Sequence, residues 1–435
     1  MSETKDHYIE RFKAFESSLN GQSTSPVHDI RRRAISIFDQ NGFPTSRDEA
    51  WKSVNLAVLT EAYSPSNQSG ASPGGLQDSL GYVIDGPTLV FIDGHLDAAA
   101  SRVDSLPSGL TVSSLAQEIE SGTAPGGLST VVSLEDHPFS ALNTAFLRDG
   151  ACVRAEKGAV VEAPVHVVYV STGQAKAVTF PRSLFVAEEN SQLTVIESFV
   201  GLDDVDYLTN HVTEIVLGDN ALLDHYKVGL EGNQARHVSN QQSRQGQASH
   251  LRSHSISIGG DFVRNDVSSA LDGEACESTI NGLYVLDGSQ HCDNYTLLEH
   301  LQPNCPSHEL YKGILADDAH AIFRGKIHVH QIAQKTDAYQ QNQNVLLSEN
   351  ARVNTKPQLE IYADDVKCSH GATIGQIDDD ALFYLQARGI SRQIAHRMLL
   401  EAFANEVLSR IKIDSLREAL TTRVLKKITP TESQR

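Results

Sequence analysis

The sequence predicts a mainly β protein whose core is a β-solenoid, with α-helical regions at both ends of the chain. Between residues 82 and 375, short runs rich in Val, Ile, Leu and Thr recur with hardly any helical periodicity. Turn signals separate these runs at intervals of roughly 30 residues, with a half-interval of roughly 15. This spacing is typical of a coil in which each rung buries its inward residues against its neighbours.

The turn signals are short acidic or glycine-containing segments. They are Ala187-Glu188-Glu189-Asn190, Leu217-Gly218-Asp219-Asn220, Leu271-Asp272-Gly273, Leu286-Asp287-Gly288, Ala316-Asp317-Asp318, Leu347-Ser348-Glu349-Asn350 and Ala363-Asp364-Asp365, with Arg244-Gln245-Gly246 halfway along the widest interval. The alternative fold is a β-sandwich, whose strands follow one another at intervals of roughly 8–12 residues. The longer interval favours the solenoid.

The regions before the β core differ from it in pattern. Residues 1–62 are predicted to be helical, because two segments carry apolar residues at three- and four-residue spacing, and Gly42 ends the second helix. Residues 63–81 are rich in Ser, Pro, Gly, Asn and Gln, which indicates a linker before the β core at 82–375.

The last region, residues 376–435, is predicted to hold three helices. Asp378, Ser391 and either Asp414 or Ser415 supply the N-cap oxygens that begin them. Lys and Arg outnumber Asp and Glu by ten to five from residue 388 onward, in an otherwise acidic chain. This basic region is either a docking element or a tail whose charge neutralises the body of the protein.

The middle helix of this region, residues 391–411, is apolar over a face too wide for one packing surface. That face includes Met398, Leu399, Phe403 and Val407. The second side of the helix is therefore either buried within its own domain or presented to a partner.

Composition excludes several classes of protein. The chain has 435 residues, and 36 Lys and Arg against 55 Asp and Glu give a net charge of −19, which argues against binding nucleic acid. No apolar stretch reaches the roughly 18 residues of a membrane span, and the first residues lack a signal sequence, so we expect a cytoplasmic protein without a membrane contact. Five cysteines are an odd number, which argues against a disulfide framework. They include no Cys-x-x-Cys pair, which argues against a structural zinc knuckle and a thioredoxin-type redox pair.

The strongest candidate site is the segment Lys367-Cys368-Ser369-His370-Gly371-Ala372-Thr373. Alternate residues of a strand share a face, so Cys368 and His370 are predicted to project together, with their Cα atoms about 6.5–7 Å apart. Such a pair can bind one soft or borderline metal ion, or the imidazole can lower the pKa of the thiol. The simpler interpretation is a buried thiol beside a surface histidine.

Two other histidine groups are weaker candidates. His328 and His330 also share a strand face, but a solvated face is the simpler interpretation. A denser group has a spacing that matches no zinc template, and it consists of His291, Cys292, His300, Cys305 and His308. The sequence has no nucleophile elbow, no His-Glu-x-x-His and no phosphate loop, and its paired acids are better interpreted as turn formers.

Segments spread over nearly the whole chain resemble the SufB/SufD family of the SUF iron–sulfur cluster assembly system. They are Gly42-Phe43-Pro44-Thr45, Glu49-Ala50-Trp51-Lys52, Leu142-Asn143-Thr144-Ala145-Phe146, Asp149-Gly150, Asn354-Thr355-Lys356-Pro357, Glu360, Asp364 to Thr373, Leu382-Phe383-Tyr384-Leu385 and Arg388-Gly389-Ile390. SufB members typically have Glu at the position of His370, so the Cys-Ser-His-Gly pattern resembles the SufD branch.

The resemblance implies a right-handed parallel β-helix and a scaffold role without catalysis of its own. SufB would pair along the β-helix edge, and the ABC-type ATPase SufC would bind the C-terminal helices, including the apolar face with Met398. A transient iron–sulfur cluster, shared with SufB, would form at their junction, where His370 is the implied metal ligand. Cys368 is either a second ligand or a structural thiol.

The resemblance also implies that the isolated chain holds no stable cofactor, and it leaves open a homodimer in the absence of SufB. Two rival functions come from other classes of protein. An autonomous metal-binding β-solenoid would carry tightly bound, stoichiometric metal by itself. A β-helix enzyme acting on polysaccharide would need an aromatic-lined groove, although the β region has no Trp.

Overall fold

The core of the protein is a coil of parallel strands arranged in two sheets, which confirms the predicted fold class. The structure is a computed structural model, and it describes residues 2–19, 25–66, 70, 74–121, 125–201 and 205–428. Helices flank the coil at both ends of the chain. None of the helices in these described ranges is long and apolar enough to cross a bilayer.

The helices are α1 Ser2–Ser17, α2 Pro26–Asn41, α3 Leu76–Leu80, α4 Leu115–Glu120, α5 Pro138–Ala145, α6 Asp379–Gln386, α7 Arg392–Leu408 and α8 Asp414–Ile428, with short 3₁₀ helices at Glu49–Trp51 and Leu56–Val58. The strands are β1 Ser64–Pro65, β2 Thr88–Ile92, β3 His95–Leu96, β4 Leu110–Ser114, β5 Gly150–Ala155, β6 Val165–Ser171, β7 Ala177–Thr179, β8 Arg182–Ala187, β9 Gln192–Gly201, β10 Leu208–Leu217, β11 Leu222–Leu230, β12 Arg236–Gln245, β13 His250–Ser257, β14 Phe262–Leu271, β15 Glu277–Leu286, β16 His291–His300, β17 Pro306–Leu315, β18 His320–Val329, β19 Asp337–Leu346, β20 Arg352–Ile361 and β21 Lys367–Gly375.

Successive rungs stack in parallel, with strands alternating between the two sheets. Sheet A runs β5, β8, β10, β12, β14, β16, β18, β20, and sheet B runs β2, β6, β9, β11, β13, β15, β17, β19, β21. One register column of sheet A contains Leu208, Arg236, Phe262, His291, His320 and Arg352. Consecutive members of this column are about 30 residues apart, which is the repeat expected of one rung.

Left-handed residues close several of the predicted turns. Asn190, Asn220 and Asp317 have φ values of 59°, 57° and 54°, a conformation that Asn and Asp tolerate better than most side chains. Gly288 does the same with a φ of 55°. The segment at Arg244 also leads into a turn, because β12 ends one residue later. These turn predictions are confirmed.

The N-terminal helices cover the outer face of sheet A. Helix α2 begins after the N-cap Ser25, whose side chain accepts a hydrogen bond from the N–H of His28, and it ends at Gly42 with a φ of 67°. Aromatic rings dominate the packed layer, namely Tyr8, Phe12, Phe15, Phe38, Phe43, Trp51, Phe139 and Phe146. They share a cluster with the sheet A residues Val212, Val238, Phe262 and Ile322.

Arg264 of β14 fastens this aromatic layer to sheet A. Its guanidinium carbon lies 3.9 Å from the centre of the Trp51 ring, and its Nη1 donates a 2.8 Å hydrogen bond to the carbonyl of Ala50. It forms ion pairs with Asp266, at 2.7 Å, and with Asp293. All three charged side chains are buried, so the two carboxylates compensate a cation that could not otherwise be taken out of water.

The C-terminal helices cover the outer face of sheet B. Asp378 accepts hydrogen bonds from two N–H groups at the start of α6, and Ser391 accepts one from the N–H of Ile394 in α7, as the cap pattern predicts. The buried sides of α7 and α8 share a cluster with the sheet B residues Tyr226, Val228, Ile256, Leu283, Leu310 and Ile314. Each sheet is therefore covered by a helical layer from a different end of the chain.

Short elements also lie inside the segments predicted as linker and β core. Strand β1 and helix α3 fall within residues 63–81, of which 67–69 and 71–73 lie outside the described residues. Helices α4 and α5 fall among the first strands of the coil. Helix α5 is buried along nearly its whole length because it packs between α2 and sheet A.

Replacing Arg264 with Met should lower the free energy of unfolding by about 3–5 kcal/mol, because Asp266 and Asp293 would remain buried without their cation. Trp51 is the only Trp in the sequence and lies in contact with Arg264. Its fluorescence during urea unfolding therefore measures the free energy of unfolding at this contact. The matched control is Arg244→Met, which removes an exposed ion pair with Asp272 and should cost less than about 1 kcal/mol. Equal losses in both variants would contradict the assigned role of Arg264.

Candidate functional site at the open end of the solenoid

The two ends of the coil are built differently. At the first rungs, the antiparallel strands β3 and β4 pair with β2 and β5 and cover the parallel ladder. At the last rung, β20 and β21 are the terminal strands of their sheets, and no strand in the described part of the chain pairs with their outer edges. We call these two strands the open end. Their unpaired N–H and C=O groups can accept a further strand.

The predicted pair Cys368 and His370 lies on β21, at this open end. Cys368 is aligned with Ala338 and His370 with Gln340 on the preceding rung. Both of those residues are buried in the interior of the coil, so Cys368 and His370 share the inward face of their strand, as alternation predicts. His370 is nevertheless exposed and Cys368 half-buried, because no rung stacks on top of them.

A buried polar column continues beneath His370. The Nε2 of Gln340 donates a 2.7 Å hydrogen bond to the carboxyl oxygen Oε2 of Glu309, one rung further in. Glu309 is buried, and this burial raises its pKa to about 7. The residue below the open end is thus a carboxyl group poised to change its charge near neutral pH.

The thiol of Cys368 is not activated. Its burial raises its pKa above the ordinary value, and the nearby carboxylate of Asp337 acts in the same direction. The idea that His370 lowers the pKa of this thiol is therefore wrong for the protein in this state. A thiol of this kind becomes a thiolate when a metal ion replaces its proton, so a ligand role stays compatible with the geometry.

The open end also exposes apolar side chains. Ile374 lies on the same strand face as His370, and Ile361 and Tyr362 end β20 and begin the loop that follows it. All three are among the exposed large apolar residues of the protein. Apolar surface beside unpaired strand edges is typical of a protein–protein contact.

The four residues predicted to form the docking face of α7 do not share one environment. Met398 is 42% exposed, whereas Leu399 and Phe403 are half-buried and Val407 is fully buried. Val407 packs in the cluster between α7 and sheet B. It therefore cannot contribute to a surface that a partner would touch, and this corrects the predicted set.

The large apolar side chains that the C-terminal helices expose lie instead on α6 and on the first half of α7. They are Phe383, Tyr384, Ile394 and Met398, and we call this set the helical patch. Sequence analysis missed Phe383 and Tyr384 as part of this surface, because α6 is too short for its exposed face to be recognised by periodicity.

Basic residues of the C-terminal region bind the acidic body of the protein. Lys412 pairs with Asp224 at 3.1 Å, and Lys427 pairs with Asp287 at 3.1 Å. In the opposite direction, Lys312 of β17 pairs with Glu406 of α7. The basic C-terminal region therefore neutralises part of the acidic charge of the coil. These ion pairs also hold α7 and α8 against sheet B.

The remaining histidine and cysteine candidates separate into different environments. Cys305 lies next to Cys276, with their sulfur atoms 3.6 Å apart, and His300 contacts Ser307 at 2.9 Å. In the described ranges, the only group of three potential ligands within bridging distance is Glu299 with His328 and His330. The sequence contained a signal for this group, since Glu299 precedes His328 by about one rung of the repeat.

The sequence matches two models of known protein families. Residues 169–403 match the family described as "SUF system FeS cluster assembly, SufBD core domain". Residues 2–167 match "SufBD protein N-terminal region". The chain belongs to the SufB/SufD family. The core match covers most of the coil, α6 and most of α7. The N-terminal match covers the N-terminal helices and the first rungs.

Two of the relatives of this SufB/SufD family member cover most of its length, and a third covers about two thirds. The Escherichia coli (strain K12) iron-sulfur cluster assembly protein SufD is 34% identical over 389 residues, covering 88% of this chain and 89% of that protein. A SufBD family protein from Synechocystis sp. is 30% identical over 419 residues, covering 93% and 92%. Bacillus subtilis (strain 168) SufD is 28% identical over 300 residues, covering 68% of each.

Replacing Glu309 with Gln should raise the free energy of unfolding relative to the parent protein, and the gain should be larger at pH 8 than at pH 5. An ordinary Glu ionises near pH 4.5 in the unfolded chain, whereas burial keeps Glu309 protonated up to about pH 7 in the folded state. The protonated Glu309 carboxyl therefore makes its full contribution to the free energy of unfolding below pH 4.5. This contribution is lost as the pH rises through 7. Removing this titration should gain up to about 3 kcal/mol at pH 8.

Urea unfolding at pH 5 and pH 8 measures this difference, and Glu349→Gln in an exposed turn is the matched control. The interpretation fails if the two variants show the same pH dependence.

Proposed function

We propose that this protein is a non-catalytic scaffold subunit for assembling nascent iron–sulfur clusters. It pairs with SufB at the open end, and with the ATPase SufC through the helical patch. The observation that carries the proposal is the position of Cys368 and His370, which lie together on β21, the last strand of sheet B, whose outer edge pairs with no strand in the described part of the chain. Membership of the SufB/SufD family supplies the chemical context.

Strand addition is the physical basis of the proposed SufB contact. A strand that pairs with β21 would satisfy its free backbone groups and bury Ile374. The same contact would bring partner side chains over Cys368 and His370, which lack a covering rung. The site would then be completed by two chains, each contributing part of the ligand set.

The chemistry at the open end suits iron as cargo. Neutral imidazole is a borderline ligand that binds ferrous iron, so His370 is positioned to hold iron or the growing cluster at the junction. Cys368 projects from the same face and serves either as a second ligand or as a structural thiol. Sulfur would arrive from SufB, since the raised pKa of Cys368 makes it a poor nucleophile.

The proposed SufC contact would connect ATP hydrolysis to the open end. SufC would cover the helical patch, and closure of two SufC subunits would move α6 and α7. Helix α7 is tied to β17 by the Lys312–Glu406 ion pair, and Lys312 also lies 4.2 Å from the centre of the Phe403 ring. Motion of the helix would therefore act on sheet B, whose last strand carries His370.

The variant His370→Ala should leave the complex with SufB and SufC intact but lower its iron and sulfide content several-fold, because the junction loses a ligand. The measurement is co-purification of the three proteins, followed by iron and sulfide quantification. The matched control is His308→Ala, an exposed histidine two rungs away on sheet B. Full cluster loading in the His370→Ala complex would refute the site assignment.

Cys368→Ser in the same assay separates the two roles of the thiol. A loss as large as that of His370→Ala assigns a second ligand, and unchanged loading assigns a structural thiol.

The double variant Ile394→Asp, Met398→Asp should weaken SufC binding at least about tenfold without weakening SufB binding, because it places two charges in the helical patch. Titration of SufC into the purified chain, followed by calorimetry, measures the affinity. Thr422→Asp on α8 is the control, since it adds charge at an exposed helical position away from the patch. Unchanged SufC affinity in the double variant would refute docking at this surface.

A further inference from the structure

We propose that Glu299, His328 and His330 form a binding site for one borderline divalent cation, such as Zn²⁺, Co²⁺ or Fe²⁺, on the outer face of sheet A. The carboxyl oxygen Oε1 of Glu299 lies 3.0 Å from His330 Nε2 and 3.7 Å from His328 Nδ1. The three ligand atoms all lie within 4.8 Å of one another. One ion with metal–ligand distances of about 2.0–2.2 Å can bridge a group of this size.

The sheet holds all three residues in a fixed register. Glu299 of β16 lies directly beside His328 of β18 in the parallel ladder. His330 follows β18 by one residue, and its N–H donates a 3.0 Å hydrogen bond to the carbonyl of His300, which extends the ladder. The two imidazole rings are stacked with their centres 4.3 Å apart. The ligands are thus positioned by backbone pairing before any ion arrives.

The negative charge of the Glu299 carboxylate is not paired with a Lys or Arg side chain in the described residues. In the part of the chain that the structure describes, no Lys or Arg nitrogen lies within 4.0 Å of the Glu299 carboxylate, whose ion-pair partners are the two histidines. The nearest basic residue on His328's own strand face, Lys326, is paired with Glu360 at 2.6 Å. A divalent cation would supply the missing positive charge and use both imidazoles as neutral ligands.

The donor set selects the class of ion. Two imidazole nitrogens and one carboxylate suit borderline first-row cations, whereas Ca²⁺ and Mg²⁺ prefer all-oxygen sites and Cu⁺ prefers sulfur. The three side chains are between 25% and 37% exposed. Three protein ligands at a partly exposed position leave coordination places for water, so the ion would be exchangeable rather than permanently enclosed.

The site is distinct from the pair on β21. Glu299, His328 and His330 face outward from sheet A, whereas Cys368 and His370 face the interior of the coil from sheet B. The centre of the His328 ring lies 5.6 Å from that of Tyr362, so the group borders the open end but shares no residue with the pair on β21. The inference therefore stands independently of the proposed function.

The test is titration of the full-length chain, freed of metal with a chelator, with Co²⁺. We expect one Co²⁺ per chain, with visible absorption from the nitrogen and oxygen ligands, displacement by Zn²⁺, and at least tenfold weaker binding in Glu299→Gln and in His330→Gln. The matched control is His320→Gln, which removes an imidazole from the same strand and strand face as His328. Circular dichroism establishes that each variant is folded.

Three results would overturn the proposal. The first is the absence of stoichiometric Co²⁺ on the parent chain. The second is unchanged affinity in Glu299→Gln and His330→Gln. The third is loss of the ion in His370→Ala, which would assign the bound Co²⁺ to the open end and leave the scaffold function standing. Retention of the ion in His370→Ala, together with its loss in the first two variants, supports the outer site.

Discussion

The stacking of each rung on the next is the constraint on which the rest of the molecule depends. Inward-facing side chains such as Gln340 and Glu309 are buried only because a further rung lies over them. Antiparallel strands solve this problem at the first rungs, but β20 and β21 remain without such cover. The inward face of the coil is therefore exposed at its last rung, where Cys368 and His370 lie.

The sequence predicted what depends on its repeat and on local capping. The interval of about 30 residues identified the coil and its turns, and short polar residues located the helix starts at Ser391 and Asp378. Features that depend on how elements pack were not predictable in this way. The orientation of α7 decides that Val407 is buried, and the ladder register decides that Glu299 joins His328. The burial of Val407 is not encoded in composition or periodicity, and the repeat places Glu299 about one rung before His328 without fixing the exact register.

The C-terminal helices combine attachment to sheet B with an apolar surface that stays exposed. Residues of the second half of α7, such as Val407, anchor the helix on sheet B, while Met398 in its first half faces solvent. Ion pairs such as Lys412–Asp224 join the basic helices to the acidic coil. One helix therefore provides both an attachment to sheet B and an accessible apolar face.

The contact between Arg264 and the carbonyl of Ala50 spans 214 residues of sequence, and this separation matters during synthesis. Ribosomes add about 5–20 residues per second, so the aromatic face of the N-terminal helices is complete roughly 10–40 s before β14 emerges to cover it. During that interval the Trp51 ring lacks the Arg264 side chain of β14, although β10 and β12 already supply Val212 and Val238 to the same cluster. The aromatic layer is therefore completed only after the middle rungs have been translated.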